Sequence, residues 1–383
     1  MTLMNPITER VQVSTSLKVT LSKADLLTLI GKIQGVIPSK PSLPILSYIV
    51  MEAKDHQLVL TASDALVSVK TYSAAHVSQE GKIAVPAKNF FSLVREITSL
   101  TLEIEVQGSM VYVKAGSSLF KLHGVPAEEF PSFPSYAENH FIPIHAPTLK
   151  ELFTRTAFAV AKEDSRQALN GLCLQLTSQQ LTLIGTDGKK LAKITADLDP
   201  QELQGQFIIP LKTVEEMIQA LDDDTTSRLY LASDRVALET SSTLVISKLL
   251  VGEYPDIYRV IPQKTSVNLH LHREELISLL RQISLFISEL NQSVRFIFRT
   301  GELELASTRG EVGEGKVSMP VDYEGEPLEI ALNPFFFIEI LKRCQDTTVH
   351  FGMINSFNPG VITDQTTALF VIMPMRLSSA ACS

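Results

Sequence analysis

The chain has 383 residues, a length typical of two or three domains with well-buried cores. Its 34 Lys and Arg residues are outnumbered by 42 Asp and Glu residues, and the resulting net charge of −8 excludes a globally basic protein that coats nucleic acid. Hydrophobic residues make up 45% and charged residues 20%, which is typical of an ordinary soluble globular protein, and no apolar run approaches the length of a membrane span.

The first repeat of the chain is predicted from alternating and amphipathic patterns. In chain order these give a strand at 17–21, a helix at 23–33, strands at 48–51, 58–61 and 66–72, a strand at 82–85, a helix at 87–97, and strands at 102–106, 110–115 and 119–123. The order strand, helix, three strands thus occurs twice. Because two helices are too few to cover both faces of such sheets, the pattern predicts an α+β fold with the helices on one side.

The same order of elements recurs along the chain with a period of about 124 residues. An alternating strand that runs into a polar turn begins at Gln57, Gln180 and Glu302, with offsets of 123 and 122. A Pro opens a helical pattern at three positions spaced 124 apart, namely Pro86, Pro210 and Pro334. We therefore expect an N-terminal extension at 1–16, three similar domains at 17–137, 138–263 and 264–377, and a C-terminal tail at 378–383.

Six half-repeats in a row predict a curved array. Such an array either stays open or closes, and closure would remove the exposed strand edges at its two ends. The repeat spacing by itself leaves both possibilities open.

Positive charge is concentrated on the predicted helices. Over the windows 22–37, 86–99, 147–162, 210–221, 272–287 and 334–345, Lys and Arg exceed Asp and Glu by four, so the rest of the chain is acidic. Such residues are commonly only the solvated faces of amphipathic helices. If the helices share one face, the strongest function that this pattern supports is a weak phosphate contact independent of base sequence.

No motif of catalysis or metal binding occurs in the sequence. The three cysteines, Cys173, Cys344 and Cys382, form no C-x-x-C pair, which favours a reducing, cytoplasmic compartment and no metal. Asp187 lies in a Gly-rich segment that is typical of a turn after a strand, and the eight His residues are scattered. We therefore expect a non-catalytic protein without cofactors.

An apolar run near the C-terminus, 370–377, has two interpretations. It is either the strand that completes the third repeat or, because Met side chains adapt to several partners, part of a binding surface.

Several motifs, taken together and in order, resemble the bacterial sliding-clamp family, the β subunit of DNA polymerase III. They are Pro41-Ser42-Leu43-Pro44-Ile45-Leu46, Leu169-Asn170-Gly171, Thr186-Asp187-Gly188, Glu253-Tyr254-Pro255-Asp256 and Met373-Pro374-Met375-Arg376-Leu377. The resemblance implies a head-to-tail homodimer of three-domain subunits, closed into a ring with helices facing duplex DNA and sheets outside. It also implies a non-enzymatic processivity subunit of a DNA-directed DNA polymerase holoenzyme, active in cytoplasmic DNA replication.

The partners implied by this resemblance are double-stranded DNA without sequence preference, the polymerase III catalytic subunit and the clamp loader. Other polymerases, mismatch repair proteins and ligase would bind through short peptide motifs, and no membrane is involved.

The resemblance also implies three sets of site residues. The partner-peptide groove would contain Leu169, Thr186, Gly188, Lys190, Leu191, Pro255, Val260, Phe357, Pro359, Val371, Met373, Pro374, Met375 and Arg376. For DNA, the matching positions are Lys40 and Arg166, and the cations of the predicted helices would add the contacts Lys23, Lys32, Lys88, Arg95, Lys150 and Arg155. The dimer seam would pair Phe120 and Leu122 with Leu285 and Phe286 of the second subunit.

Two other functions remain as alternatives. One is a three-repeat scaffold that binds peptides without encircling DNA, which the acidic total charge would favour. The other is an enzyme with a site built from Asp187 and the scattered His residues.

Overall fold

The computed structural model describes residues 16–136, 141–221, 226–288, 292–309 and 313–376, without the side chains of residues 308 and 309. The expected extension and tail lie almost wholly outside these residues. The first repeat contains β1 (Ser16–Ser22), α1 (Lys23–Ile33), β2 (Tyr48–Lys54), β3 (Gln57–Ser63), β4 (Val67–Ala74), β5 (His76–Gln79), β6 (Gly81–Pro86), α2 (Ala87–Glu96), β7 (Thr101–Gln107), β8 (Met110–Ala115) and β9 (Ser118–His123). The second contains β10 (Ile142–His145), α3 (Ala146–Ala157), β11 (Gly171–Leu176), β12 (Gln180–Thr186), β13 (Lys190–Asp197), β14 (Gly205–Pro210), α4 (Leu211–Ala220), β15 (Thr226–Leu231), β16 (Arg235–Glu239) and β17 (Thr243–Lys248). The third contains β18 (Val267–His272), α5 (Arg273–Ile283), β19 (Val294–Arg299), β20 (Glu302–Arg309), β21 (Gly313–Pro320), β22 (Leu328–Leu332), α6 (Pro334–Leu341), β23 (Thr348–Met353), β24 (Gly360–Thr363) and β25 (Leu369–Ile372).

The chain folds into two compact units that do not follow the repeat boundaries. One unit comprises the described residues within 1–143 and 219–248, and the other comprises those within 144–218 and 249–383. The first unit holds a five-stranded sheet, β5-β1-β7-β8-β9, and an eight-stranded sheet, β10-β15-β16-β17-β4-β3-β2-β6, whose edge strand β10 runs across the unit boundary. The second holds an eight-stranded sheet, β14-β11-β12-β13-β25-β24-β23-β18, and a four-stranded sheet, β21-β20-β19-β22. Each eight-stranded sheet therefore joins strands from two consecutive repeats.

Helix α1 forms where the pattern places it because a side-chain cap and an apolar stripe coincide. The Ser22 hydroxyl accepts a hydrogen bond from the Asp25 amide at 3.0 Å and so caps α1. Leu26, Leu29, Ile30 and Ile33 of that helix are buried, and the helix contacts α2, β3 and β4. The predicted α+β class is confirmed.

The core of the second unit includes aromatic side chains from helix and sheet. The ring of Phe337 in α6 lies 5.5 Å from that of Phe296 in β19 and 5.4 Å from that of Phe351 in β23, measured between centroids. These three side chains are fully buried. Packing of this kind fixes the helix against the strands that lead to the site described below.

The sequence pattern differs from the structure in two details. Strand β5 is absent from the sequence prediction, and the helices are shorter than the windows used to count charge, since α5 passes into a 3-10 turn at Ser284–Phe286 and α6 ends at Leu341. Within the described residues, no helix has the length and apolarity that a membrane crossing needs, and no cluster of His, Cys, Asp and Glu is arranged for a metal ion.

Candidate functional site

A cavity of about 220 Å³ lies in the second unit, where β13 from the second repeat pairs with β25 from the third. The segment that connects these repeats covers its side. It is lined by Arg166, Leu169, Thr186, Gly188, Lys190, Leu191, Pro255, Asp256, Ile257, Val260, Val371 and Met373. We call this cavity the junction groove.

The turn between β12 and β13 positions one wall of the junction groove. The Thr186 hydroxyl donates to the Lys190 carbonyl at 2.7 Å and accepts from the Gly188 amide at 3.1 Å. The Asp187 carboxylate accepts from the amides of Lys189 and Lys190 at 2.8 and 2.9 Å. Gly188 adopts a φ of +82°, a conformation that glycine enters without steric cost. Asp187 is thus a turn residue, as the Gly-rich segment around it predicts.

Lys190 lines the groove with the aliphatic part of its side chain, and nearby carboxylates neutralise its ammonium charge. Its Nζ lies 3.0 Å from Asp187 and 3.2 Å from Glu339, and 4.4 Å from the centroid of the Phe336 ring. The side chain is only 8% exposed. An amphipathic side chain held in this way presents methylene groups rather than charge, so the groove stays largely apolar.

The segment that connects the second and third repeats is anchored by Tyr254. This side chain is buried and its hydroxyl donates to the Ile184 carbonyl at 3.2 Å. Burial raises the pKa of the Tyr254 phenol far above its usual value. With Tyr254 fixed, Ile257 is buried in the groove wall while Val260 remains 41% exposed at its rim.

Arg166 borders the groove and remains accessible. Its guanidinium donates to both carboxylate oxygens of Asp164 at 3.0 Å, yet its side chain is 63% exposed. These hydrogen bonds from Arg166 lower the pKa of Asp164 to about 2, so the pair stays ionised at neutral pH. A fixed guanidinium of this kind suits an anionic group of a partner.

Most of the expected groove residues lie together in the structure. Those that line the cavity are Leu169, Thr186, Gly188, Lys190, Leu191, Pro255, Val260, Val371 and Met373. Those that do not line it are Phe357, Pro359, Pro374, Met375 and Arg376. Asp256 and Ile257 belong to the lining but were absent from the expected set; their position directly after Pro255 is the signal that could have included them.

The positions outside the lining differ in their surroundings. Phe357 is 87% exposed in the loop after β23, where its amide donates to Asn355 at 2.9 Å. Met375 pairs through its backbone with Ala331, with an N–O distance of 2.8 Å. The C-terminal run therefore has both roles considered above, because β25 completes the eight-stranded sheet while Val371 and Met373 line the groove.

The expected DNA-contacting cations of the first unit lie on or near α1 and α2. The Lys23 ammonium donates to the Arg95 carbonyl at 2.9 Å and to the Ile97 carbonyl, and so satisfies the C-terminal end of α2. Lys32 donates to the Ser242 hydroxyl at 2.7 Å. The exposed cations are Lys40, Lys88 and Arg95, the last of which also donates to the Gln34 side chain.

In the second unit, Lys150 is half-buried, whereas Arg155 is only 4% exposed. The Arg155 guanidinium lies 2.5 Å from Asp364 and 3.0 Å from Glu151. The expectation that Arg155 contacts DNA is wrong, because a buried, ion-paired guanidinium cannot reach a phosphate. The expectation failed because the pairing carboxylate comes from a distant part of the chain.

The expected seam residues lie on or near strands at sheet edges. Phe120 in β9 is 36% exposed and Leu122 is half-buried, while Leu285 is 72% exposed and Phe286 is half-buried. Apolar side chains left at the edge of a sheet are typical of a surface that pairs with another chain.

Comparison with known proteins covers nearly the whole chain. Family models of the DNA polymerase III beta subunit match residues 17–134 (N-terminal domain), 143–256 (central domain) and 258–376 (C-terminal domain). The beta sliding clamp of Chlamydia muridarum is 44% identical over 94% of this chain and 99% of its own, and that of Escherichia coli is 26% identical over 94% and 100%. The crystal structure of the Bacillus subtilis DNA polymerase sliding clamp superposes with a TM-score of 0.89 at 26% identity, covering 95% of this chain and 100% of that one. The chain therefore belongs to the family of the DNA polymerase III β subunit, the bacterial β sliding clamps.

Proposed function

We propose that the chain is a sliding clamp that encircles duplex DNA as a head-to-tail homodimer and tethers the replicative polymerase. The observation that carries this proposal is the match of three consecutive clamp domains, which together span residues 17–376. The proposed role is topological and non-catalytic: a closed ring keeps its partners on DNA without a tight local bond. The proposed site of this function is the cytoplasm.

The junction groove supports the tethering half of the proposal. Its floor is apolar, with Leu169, Leu191 and Val371 buried, and Val260 and Met373 offer accessible apolar rims. A cavity of about 220 Å³ accommodates one or two side chains rather than a folded domain. It therefore suits a short extended peptide with hydrophobic anchors.

Several partners would share this groove in turn. We propose that they are the polymerase III catalytic subunit, the clamp loader, other polymerases, and mismatch repair and ligase proteins. Since each peptide would bury only a few anchors, modest affinity per site would allow them to exchange. Arg166 at the border would favour peptides with an acidic residue near the anchor.

Retention on circular DNA tests the ring. After loading, the protein should remain on closed circular DNA through gel filtration and should be lost when the circle is cut once. A peptide-binding scaffold that only touches DNA would be retained equally on both forms, and that result would refute encirclement.

Substitution at the rim tests the groove separately. Met373→Asp and Val260→Asp should each weaken binding of a polymerase-derived peptide at least about tenfold, because a carboxylate would be desolvated against apolar walls. Phe357→Asp is the matched control, since this exposed side chain does not line the cavity. Equal loss in all three variants, measured by fluorescence anisotropy, would contradict the assignment of the junction groove.

A further inference from the structure

The first unit contains a strand junction built like the one that holds the junction groove. Strand β17 of the second repeat pairs with β4 of the first, as β25 of the third repeat pairs with β13 of the second. Ile246 lies opposite Ser68 in one pair, and Val371 lies opposite Leu191 in the other, at the spacing of the repeats. We call the pairing of β17 with β4, together with the segment 130–136 that follows the first repeat, the first junction.

The turn that forms one wall of the junction groove is reproduced at the first junction. The Ser63 hydroxyl donates to the Val67 carbonyl and accepts from the Ala65 amide, both at 3.1 Å. The Asp64 carboxylate accepts from the amides of Leu66 and Val67 at 2.9 and 2.8 Å. Ala65 has a φ of +78°, close to the +82° of the glycine in the groove wall. The two junctions therefore share the same backbone framework.

The segments that connect the repeats differ in the size of their side chains. Ile257 and Val260 line the junction groove with aliphatic side chains. The positions 124 residues earlier hold the aromatic side chains of Phe133 and Tyr136. Both segments begin with a buried aromatic residue followed by Pro, and this shared start fixes the alignment. The first junction therefore carries aromatic rings where the junction groove has smaller aliphatic groups.

Phe133 and Tyr136 pack onto the sheet of the first junction. Both are half-buried against a cluster of buried side chains, which comprises Tyr230, Ala237, Leu244 and Ile246. The ring of Tyr136 lies 4.9 Å from that of Tyr230 at an interplanar angle of 73°, which is an edge-to-face contact. The Lys70 ammonium lies 4.2 Å from the centroid of the Phe133 ring. The segment is thus held against the sheet by its own aromatic side chains.

The ring that packs against Tyr136 is replaced by a glycine in the second unit. Two steps across the sheet from Ile246, from each residue to the one directly opposite, lead to Tyr230. The same two steps from Val371 lead to Gly352. Directly opposed residues of antiparallel strands point to the same face of the sheet. The face that carries the junction groove therefore lacks a side chain at the position where the first junction has a tyrosine ring.

Resting on the peptide-binding function proposed above, we infer that the first junction is a groove of the same construction that the chain fills with its own side chains. Tyr136, supported by Phe133 and Tyr230, occupies the place that an anchor side chain of a bound peptide takes in the junction groove. The aromatic rings cover the apolar surface that a partner would otherwise bury. These three residues therefore determine which of the two junctions accepts a peptide.

Opening the first junction tests this inference. The combined substitutions Ser68→Leu, Phe133→Ile and Tyr136→Val give the first junction the residues that line the junction groove at these positions. Isothermal titration calorimetry with a synthetic peptide from the polymerase III catalytic subunit should show one peptide bound per unsubstituted chain and two per opened chain. Adding Val260→Tyr to the opened chain should return the number to one, because the new ring fills the junction groove. An opened chain that is folded by circular dichroism but still binds one peptide would overturn the inference.

Closing the junction groove is the reciprocal test, and it does not depend on the folding of the opened chain. Val260→Tyr alone should weaken binding of the same peptide at least about tenfold, since the ring competes with the peptide anchor for the cavity. Val251→Tyr is the matched control, because Val251 is 89% exposed and does not line the cavity, and it should change the affinity less than about twofold. Full affinity in the Val260→Tyr variant would overturn the inference. An unsubstituted chain that does not bind the peptide at all would instead refute the proposed function.

Discussion

Removal of the Arg155 guanidinium should destabilise the second unit without affecting DNA retention. Arg155 donates to Asp364 at 2.5 Å and to the Thr366 hydroxyl at 3.0 Å, and the Asp364 side chain is fully buried. Arg155→Met keeps most of the aliphatic stem but leaves this carboxylate without its counter-charge. Breaking a buried pair in this way costs about 3–5 kcal/mol.

The lower end of that range applies here because Asp364 retains other donors. It accepts from the Gln345 amide at 2.9 Å and from the Thr366 amide at 3.1 Å. About 3 kcal/mol corresponds to a fall of roughly 6–12 °C in the unfolding temperature of a unit of this size, measured by differential scanning calorimetry. As a control, Lys88→Met, which removes an exposed cation from α2, should shift the unfolding temperature by less than about 2 °C.

The pH dependence of folding stability provides a second test of the same prediction. Burial pushes the pKa of Asp364 upward, but its hydrogen bonds and the charge of Arg155 outweigh burial and hold the pKa below its usual value. A carboxyl group whose pKa is lowered in the folded state stabilises the fold at pH values above its unfolded-state pKa of about 3.9. This contribution is lost as the pH falls through the folded-state pKa. The difference between Arg155→Met and the unsubstituted chain should therefore shrink below about pH 4. Unchanged stability together with lost DNA retention would refute this reasoning and restore Arg155 as a phosphate contact.

Three further outcomes follow from single positions. Burial raises the pKa of Cys173 and Cys344 to about 12, so in a variant without the third cysteine neither thiol should react with Ellman's reagent at pH 8 until the chain is unfolded. Gly185→Ala should cost about 1–3 kcal/mol in urea unfolding, because the new Cβ would clash with the Thr156 carbonyl oxygen. Gly31→Ala, in α1 with nothing within 4 Å of the new Cβ, should instead stabilise the fold by about 0.5–1 kcal/mol, and destabilisation there would contradict the open space at that position.

Much of the fold could be predicted because the same local pattern is repeated. Alternating strands and capped helices have short-range signals, so β1, α1, β8 and most other elements of the first repeat appear at the predicted places. Strand β5 was missed because its four residues are exposed or half-buried and show no apolar alternation. Its pairing with β1 depends on contacts that are distant in sequence.

The groove residues were predicted from the family resemblance, and only the turn in one wall of the groove could also be predicted from local sequence. The wall formed by residues 186–190 is a local turn, and its hydrogen bonds follow from adjacent Thr, Asp and Gly residues. The burial of Arg155 could not be predicted, since its carboxylate partner lies 209 residues away in sequence. The position of Arg166 at the groove likewise depends on the folded loop rather than on its neighbours in the chain.

The structure also changes what the helical charge implies. Lys162, Lys342 and Arg343 were counted with the helices, but they lie beyond the ends of α3 and α6. With Arg155 buried as well, fewer cations lie accessible on the helices themselves than the sequence count suggested. Because the salt dependence of binding scales with the number of phosphates neutralised, the contact of this chain with DNA should be weak and only shallowly salt-dependent. Weak inner contacts are what encirclement requires, since a ring held by topology gains nothing from charges that would oppose its movement along the duplex.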